Sequence, residues 1–332
     1  MKKTSSLAFG NQRTTWRGRR SPSIPRCRHL KQRAPLLCSL AVLSLSLLVG
    51  ETSRAEDLPM TSTNTVANPP PSGGDRKKIL FFSKCNEYED EMVRRTNGGL
   101  SPAEEVVSEL GKQNRLVFTF TKDGSVFTPE NIAKYDAFCF FTSGDLTQSG
   151  GDGNPPMSPA GKAALLQAIF DGKGFIGIHS AANTFNSGGT AVDPFIKMLG
   201  SELKVRVRGM EPAHQIVVDT NFPGMSAVPA DFGPVDEWYA LRNFSPNLHV
   251  LLVQDTAAMV RGSYYAPNYP STWAQQYGKG RVFYTSMGHQ RDVWVSPVFE
   301  RMLAGGLTWA AGGVTADVTP NIDQVTPQVN KR

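Results

Sequence analysis

Residues 172–182 read GKGFIGIHSAA, an apolar run between glycines that ends in a histidine and small residues. The apolar part, 175–178, predicts a short buried strand of a parallel sheet. Its end has the Gly-x-nucleophile-x-small pattern of a strand-to-helix elbow, which presents one side chain at the carboxyl end of a sheet. The side chain at the tip is His179, and an imidazole there can relay a proton or bind a metal.

The segments around this elbow alternate between apolar strands and capped helices. Strands are predicted at 78–83, 115–121, 137–142 and 174–179. Helices are predicted where a hydroxyl residue precedes proline, at Ser101, Thr128, Ser158 and Ser296, and Glu104 completes a capping box at the first of them. The alternation predicts an α/β domain over 78–314 with a mainly parallel sheet covered on both faces.

The order of the predicted elements changes after the elbow. Apolar runs at 204–208, 215–219, 249–255, 272–277 and 281–287 follow one another with few helices between them, which predicts an antiparallel C-terminal extension of the sheet. A closing helix is expected over 296–311. The last residues, 315–332, are polar and contain proline, so we expect a disordered tail.

The first 77 residues are expected to lie outside this domain. Residues 1–55 combine an Arg-rich start, a 14-residue apolar run at 36–49 and a small-residue cleavage site, which together predict a secretory signal peptide. Residues 56–77 are rich in Pro, Ser, Thr and Gly and predict a flexible linker. We therefore expect an exported protein, periplasmic or extracellular, that has no stable membrane span once the leader is removed.

The charge of the chain is concentrated in the leader. Residues 1–55 hold 11 of the 35 Lys and Arg residues and one of the 29 Asp and Glu residues, which leaves a net charge of −4 on the remainder. This acidic body gives no electrostatic reason to expect nucleic acid as a partner. Of the cysteines, only Cys85 and Cys139 follow the leader. Cys139 lies in an apolar predicted strand, and Cys85 follows a strand end, where it could be exposed. Whether the two form a disulfide is left open.

Three side chains are the candidate catalytic groups. His179 lies at the carboxyl end of a central strand, where α/β sheets open their binding crevice. His289 follows Gly288 at the end of the predicted strand 281–287. Glu237, within the motif DEWY at 236–239, is the preferred acid/base because an aromatic surface beside carboxylates suits a sugar. The hydroxyl of Ser180 lies one position past the tip and is a poor nucleophile candidate.

Several further residues are expected to contact substrate. Asp145 follows a strand end and either caps its turn or reaches the crevice. Tyr239 belongs to the DEWY motif. Trp273 follows a group of tyrosines at 264, 265 and 269, and these rings either form a stacking wall or pack in the core.

The order of these blocks resembles the trehalose-utilisation ThuA-like family. The resemblance rests on the first strand at 79–84, FTSGDL at 141–146, GKGFIGIHSA at 172–181, DEWY, and YGKGRVFYTSMGH at 277–289. It covers nearly all of 78–312. It implies a flavodoxin-like, class I glutamine amidotransferase-like fold turned to carbohydrate metabolism, whose members are often described as sugar-utilisation proteins or secreted glycosyl hydrolases.

The chain departs from the family pattern at three places. Asp90 stands where the family tends to carry His after the first strand. Asn183, which we count among the substrate-binding residues, stands where the family favours Asp after the elbow. Arg206 and Arg208 occupy a region where many members have another His. These changes weaken a metal site carried over from the family.

Two function classes remain after this comparison. The first is an enzyme that hydrolyses or eliminates at a glycosidic bond of a sugar or keto-sugar derivative, with His179 and Glu237 transferring protons and His289 orienting substrate. The second is a non-catalytic carbohydrate-binding protein on the same scaffold. Glutamine amidotransfer is excluded because position 179 is not Cys, and Cys85 lies in the wrong place to replace it.

The cofactor and the oligomeric state are left open. A divalent metal, zinc or iron, would require His179 and His289 to converge with a carboxylate such as Glu237 or Asp90. No closely spaced pair of His or Cys residues supports such a site locally.

Overall fold

The computed structural model describes residues 75–207, 209–260 and 267–331. The predicted leader at 1–55, most of the linker, and Arg208, Tyr264 and Tyr265 lie outside the described residues. The strands are β1 (Lys77–Phe82), β2 (Leu116–Thr121), β3 (Ala137–Phe140), β4 (Gly174–Ile178), β5 (Glu202–Arg206), β6 (Glu211–Pro212), β7 (Gln215–Val217), β8 (Val235–Asp236), β9 (Tyr239–Arg242), β10 (His249–Gln254), β11 (Tyr269–Tyr277) and β12 (Gly280–Thr285). The helices are α1 (Pro102–Asn114), α2 (Pro129–Ile132), α3 (Pro159–Phe170), α4 (Pro194–Leu199), α5 (Arg291–Trp294), α6 (Pro297–Ala310) and α7 (Ile322–Val325).

Eight of these strands form the central sheet in the order β2-β1-β3-β4-β12-β11-β10-β7. The first five are parallel to one another, and their order is that of flavodoxin-like sheets. The last three pair antiparallel. The predicted fold class, a mainly parallel α/β sheet with an antiparallel C-terminal part, is therefore confirmed.

Alternate residues of the parallel strands enter two separate hydrophobic clusters, one on each face of the sheet. In β1, Ile79 and Phe81 pack into one cluster, and Leu80 and Phe82 pack into the other. This pattern explains why the strand reads as a continuous apolar run, since a parallel sheet with both faces covered has no solvent side.

The helix starts agree with the Ser/Thr-Pro signals. Ser101, Thr128 and Ser158 each accept a hydrogen bond from a backbone N–H of the helix that follows, and Ser101 forms the predicted capping box with Glu104. Helix α6 also begins at the predicted proline, but the Ser296 hydroxyl makes no cap hydrogen bond. The fixed φ of proline at the first helical position is consistent with this start even without the cap.

The structure differs from the predicted antiparallel extension in two details. Strand β12, predicted as part of it, pairs parallel with β4 and belongs to the parallel half of the sheet. Strand β5 is outside the central sheet and pairs with β9, while β6 pairs with β8. These two-stranded ribbons carry Arg206 and Asp236 and bring Glu237 to the carboxyl ends of β4 and β12.

The C-terminal segment is ordered rather than frayed. Ile322 in α7 is buried, and Asn321 bonds with its backbone N–H to Leu248 O, with its side-chain amide to Val250 O, and with its Oδ1 to the Val250 N–H. Strand β7 pairs only with residues 252–254 of β10. The tail therefore satisfies backbone groups at the beginning of β10 that β7 does not reach.

Cys85 and Cys139 are free thiols, and both are buried. The expectation that Cys85 could be exposed is therefore wrong: it is 2% exposed and forms a backbone bridge with Ser143. Among the described residues no helix is both long and apolar enough to cross a membrane.

Candidate functional site

His179 lies at a strained turn between β4 and a short 3₁₀ helix, His179–Asn183. Its φ is +43°, in the left-handed region that residues other than glycine rarely adopt. Gly177 lets Leu199 and Tyr284 pack closely on the strand before the turn, because a Cβ there would lie 2.7 Å from Leu199 Cδ1 and 3.0 Å from the Tyr284 ring. The predicted elbow is therefore present, with an imidazole at its tip.

The His179 ring is fully buried and held from two sides. Its Nδ1 lies 2.8 Å from Ser286 O, and the Tyr239 ring lies against it at a centroid distance of 4.4 Å. Since a carbonyl only accepts, Nδ1 carries a proton, and Nε2 is the nitrogen that holds the lone pair when the ring is neutral. This Nε2 atom is buried and has no hydrogen-bond partner among the described residues.

Glu237 faces this nitrogen. Its Oε2 lies 3.6 Å from His179 Nε2, and its side chain is 12% exposed. Burial raises the pKa of Glu237, but the contact with His179 and the charges of His179, His289 and Arg206 outweigh burial and hold it below its ordinary value. The carboxyl group is therefore ionised at neutral pH and can accept a proton.

His289 reaches the same point from the end of β12. Its ring centroid lies 5.3 Å from that of His179, and its Nδ1 lies 2.6 Å from Asp90 Oδ2. Burial lowers the pKa of His289, but the hydrogen bond and charge of Asp90, with the charges of Glu237 and Asp236, raise it above the ordinary value. Asp90 is buried, and its other oxygen accepts from the Met92 N–H.

Asp236 positions the loop that carries His289. Its Oδ2 accepts from the Gly288 N–H at 2.7 Å, and its Oδ1 accepts from the N–H groups of Gln290 and Glu237, both at 2.9 Å. Burial raises the pKa of Asp236 in spite of these bonds and of the His179 charge. This carboxylate is committed to the backbone, so it orients Glu237 and His289 and has no free oxygen for substrate.

The site includes residues to which the sequence assigned no catalytic role. Asp90, noted as a departure from the family pattern and a candidate ligand, is the partner of His289, and Arg206 interacts with the Tyr239 hydroxyl. Asp90 could have been assigned from its position after β1, because the carboxyl ends of parallel strands meet at one edge of a sheet. Its pairing with His289, 199 positions away, could not be predicted in the same way.

Asp145 and Asn183 line a neighbouring pocket of about 430 Å³ that also includes Glu87 and Lys162. Asp145 Oδ1 accepts from the N–H and hydroxyl of Thr147, which is the turn-capping alternative. Asn183 donates to Glu87 Oε2 at 3.2 Å. Both residues therefore border the crevice beside the histidine centre rather than belonging to it.

Trp238, Tyr239 and Trp273 do not form the predicted aromatic surface in the crevice. Trp273 is fully buried and donates its indole N–H to Leu199 O, so it cannot contact a substrate as expected. Trp238 is likewise buried and donates to Glu211 O. Tyr239 is 1% exposed and packs on His179 instead of offering a face to solvent. Trp273 packs inside because β11 is a central strand whose residues 269–275 are all buried.

One ligand atom each from Asp90, His179 and His289 lies within 4.8 Å of the others. Two imidazoles and a carboxylate are a donor set that suits divalent transition metals. Of the two carboxylates considered from the sequence, Asp90 is the one that joins both histidines. The Ser180 hydroxyl is buried at this elbow without a partner among the described residues.

Comparisons with known proteins agree with this architecture. The family model of ThuA, described as trehalose utilisation, matches residues 78–310. No curated protein matches the chain. A ThuA-like protein from Bacteroides uniformis superposes with a TM-score of 0.57 at 20% identity, covering 72% of this chain and 93% of its own. A ThuA-like protein from Parabacteroides merdae has a TM-score of 0.52 at 17% identity and covers 74% of this chain and 95% of its own.

Proposed function

Because the chain belongs to the ThuA trehalose-utilisation family, whose name indicates a carbohydrate-related function, we propose that it cleaves a glycosidic bond of a sugar or keto-sugar derivative. The observation that carries this proposal is the convergence of an ionised carboxylate with two imidazoles: Glu237 Oε2 lies 3.6 Å from His179 Nε2, and the two imidazole rings are 5.3 Å apart. Such a centre has a base, Glu237, on one side and a group that stabilises negative charge, His289, on the other.

The arrangement of carboxylates favours elimination over hydrolysis. A glycoside hydrolase of the common type uses two carboxyl groups on either side of the bond. Here Asp236 is bonded to three backbone N–H groups and Asp90 to His289 and Met92. Glu237 alone of the three retains an oxygen free to act on substrate. One free base suits removal of a proton from the carbon beside a ketone.

The elimination step balances with these residues. Glu237 takes the proton, and its electron pair forms a carbon–carbon double bond as the glycosidic C–O bond breaks. The leaving oxygen keeps the electron pair of the broken C–O bond and takes the proton from Glu237, so the products are an unsaturated ketone and an alcohol. Negative charge develops on the ketone oxygen in this step, and we place that oxygen against His289, whose pKa is raised above its ordinary value by Asp90.

The test is product analysis by mass spectrometry on a panel of disaccharides and their keto forms. Glu237→Gln is compared with Glu109→Gln, a carboxylate on the exposed face of α1 that is paired with Lys112. We expect wild type and Glu109→Gln to release products, and we expect the rate of Glu237→Gln to be lower by a factor on the order of 10²–10⁴. Elimination yields a sugar product lighter by one water than the hydrolysis product.

Two results would contradict the proposal. Unchanged turnover in Glu237→Gln would remove the base from the mechanism. Intact sugars throughout, together with thermal stabilisation of the wild type by one of them, would instead establish a carbohydrate-binding protein. We also propose that the protein is exported, and amino-terminal sequencing of the mature form from fractionated cells tests that separately.

A further inference from the structure

A second cavity, of about 430 Å³, lies beside the histidine centre. Glu87 from the loop after β1 and Gly144 and Asp145 from the loop after β3 line it together with Lys162 and Asn183. The strand order reverses at this place, because β2 lies on one side of β1 and β3 on the other. Open α/β sheets bind ligands at such switch points, outside the carboxyl ends of the strands. We call this cavity the switch-point pocket, and its volume suits a small molecule.

The polar side chains of the switch-point pocket are already held in place. Asn183 is 5% exposed; its amide N–H donates to Glu87 Oε2 at 3.2 Å, and its Oδ1 accepts from Asn186 at 2.8 Å. Lys162 Nζ donates to Asp193 Oδ2 at 2.8 Å. Side chains that are fixed before a ligand arrives lose less conformational entropy when it binds. The pocket is therefore preorganised for a ligand.

The remaining hydrogen-bonding capacity of the pocket fits hydroxyl groups. Glu87 Oε1 and Asp145 Oδ2 accept no hydrogen bond from the described residues, and Lys162 has two N–H donors besides the one given to Asp193. Three carboxylates, those of Glu87, Asp145 and Asp193, line the pocket with one ammonium group, so their charge disfavours an anion such as phosphate. A hydroxyl both donates and accepts. An uncharged ring with several hydroxyls, such as a sugar, therefore satisfies both kinds of group.

The switch-point pocket adjoins the histidine centre along the turn that follows β4. Asn183 is the last residue of the 3₁₀ helix that begins at His179. Such a helix rises about 2 Å per residue, so its two ends are roughly 8 Å apart, a span comparable with two linked sugar rings. The charges of Glu87 and Glu237 both act on the Arg206 guanidinium. A ligand with one ring at Glu237 can therefore reach Glu87 within the same crevice.

We propose that the switch-point pocket binds the second, uncharged sugar ring of a disaccharide whose first ring lies at the histidine centre. This second ring is the alcohol that leaves in the proposed elimination; that assignment rests on the proposed function, whereas binding of a neutral sugar does not. The pocket favours glycosides whose leaving alcohol is itself a sugar. Lys162 and Glu87 are specificity-determining residues, because they contact the ring that gains only a proton.

The test is calorimetric titration of the full chain with trehalose and the other unoxidised disaccharides of the panel. These sugars have neutral rings and no ketone, so the proposed elimination cannot consume them. We expect one sugar per chain. Lys162→Met removes the donor and keeps an apolar stem against the Phe185 ring, and Glu87→Ala removes an acceptor at an exposed position. Each should weaken binding on the order of 10-fold, the effect of losing a hydrogen bond to a charged group.

Lys112→Met is the matched control, because Lys112 also forms an ion pair of 2.8 Å, with Glu109 on the exposed face of α1. It should bind sugar as wild type does. Inorganic phosphate is titrated separately, and phosphate binding that Lys162→Met abolishes would overturn the assignment of a neutral ligand. The proposal also fails if the folded wild type binds no sugar of the panel, or if wild type and both variants bind equally well.

Kinetics separate a failure of this inference from a failure of the proposed function. The two substrates are a keto disaccharide and the methyl glycoside of the same keto sugar. The ratio of their kcat/KM values should fall about 10-fold in Lys162→Met. Cleavage with an unaltered ratio would overturn the subsite and leave the proposed function. Sugar binding that depends on Lys162, without any cleavage, would leave the subsite and remove the proposed function.

Discussion

His179 shows how one residue joins backbone strain to chemistry. A non-glycine residue in the left-handed region costs on the order of 1–3 kcal/mol and persists only when its surroundings hold it. Here the Tyr284 hydroxyl donates to His179 O and Ser286 O accepts from its ring, so main chain and side chain are both held. The strain is consistent with a turn that orients Nε2.

Asp236 should be as sensitive to substitution as the groups that touch substrate. In Asp236→Asn one oxygen is replaced by an NH₂ group, which cannot accept from the backbone N–H groups that Asp236 now satisfies. We expect a loss of about 1–3 kcal/mol in the free energy of unfolding, measured by urea titration. Asp231→Asn, at an exposed position five residues earlier, should lose none.

Activity gives a second measurement of the same residue. Because Asp236 positions Glu237 and His289 without contacting substrate, turnover in Asp236→Asn should fall even at temperatures where the variant is fully folded. A variant that loses stability but keeps wild-type turnover would show that the loop at 286–290 does not depend on this carboxylate.

Among the elements, the loop between β3 and α3 depends on one buried ion pair. Lys84 Nζ lies 2.7 Å from Asp152 Oδ1, and their side chains are 0% and 6% exposed. Lys84→Met leaves the carboxylate buried without its cation, so we expect a loss of about 3–5 kcal/mol. The double variant Lys84→Met/Asp152→Leu should recover part of it, and a double variant as unstable as the single one would contradict this account.

The same pair predicts how stability depends on pH. Burial raises the pKa of Asp152, but hydrogen bonds from Lys84 and the Asn154 N–H outweigh it and hold the pKa below its ordinary value of 3.8. A folded-state pKa below the unfolded one contributes stability above pH 3.8 that is lost as the pH falls through the folded value. Between pH 5 and 2 the double variant should therefore lose less stability than wild type, measured as the thermal midpoint at each pH.

The C-terminal element should be needed for the sheet although it lies outside the family match. A chain ending at residue 314 would lose the bonds of Asn321 to Leu248 and Val250 and would expose backbone groups of β10. We expect a lower thermal midpoint and concentration-dependent aggregation, because unpaired strand groups offer an edge for other chains. Asn321→Ala should reproduce part of the effect, and an unaltered midpoint in the truncated chain would show that the tail is dispensable.

At the scale of the molecule, the sequence predicted the architecture more completely than the functional site, because most of its signals are local. The Ser/Thr-Pro starts and the glycine-flanked strand at 174–178 depend on neighbouring residues, so they could be predicted. The identification of Trp273 as a ligand-facing ring failed because an aromatic side chain suits core and crevice equally. The Asp90–His289 pair joins residues 199 positions apart, and only the packed sheet brings them together.

The reactivity of the two buried thiols measures how cooperatively this domain unfolds. Cys85 lies just past β1 and Cys139 lies in β3, its neighbour; they are 2% and 0% exposed. Burial raises the pKa of both thiols, which suppresses the reactive thiolate. We expect a thiol reagent to modify both sites at one slow rate that rises with urea as global unfolding does, followed site by site with mass spectrometry. Fast labelling of Cys85 in the absence of urea would instead show that the crevice loop after β1 opens by itself, which would place the mobility next to Asp90.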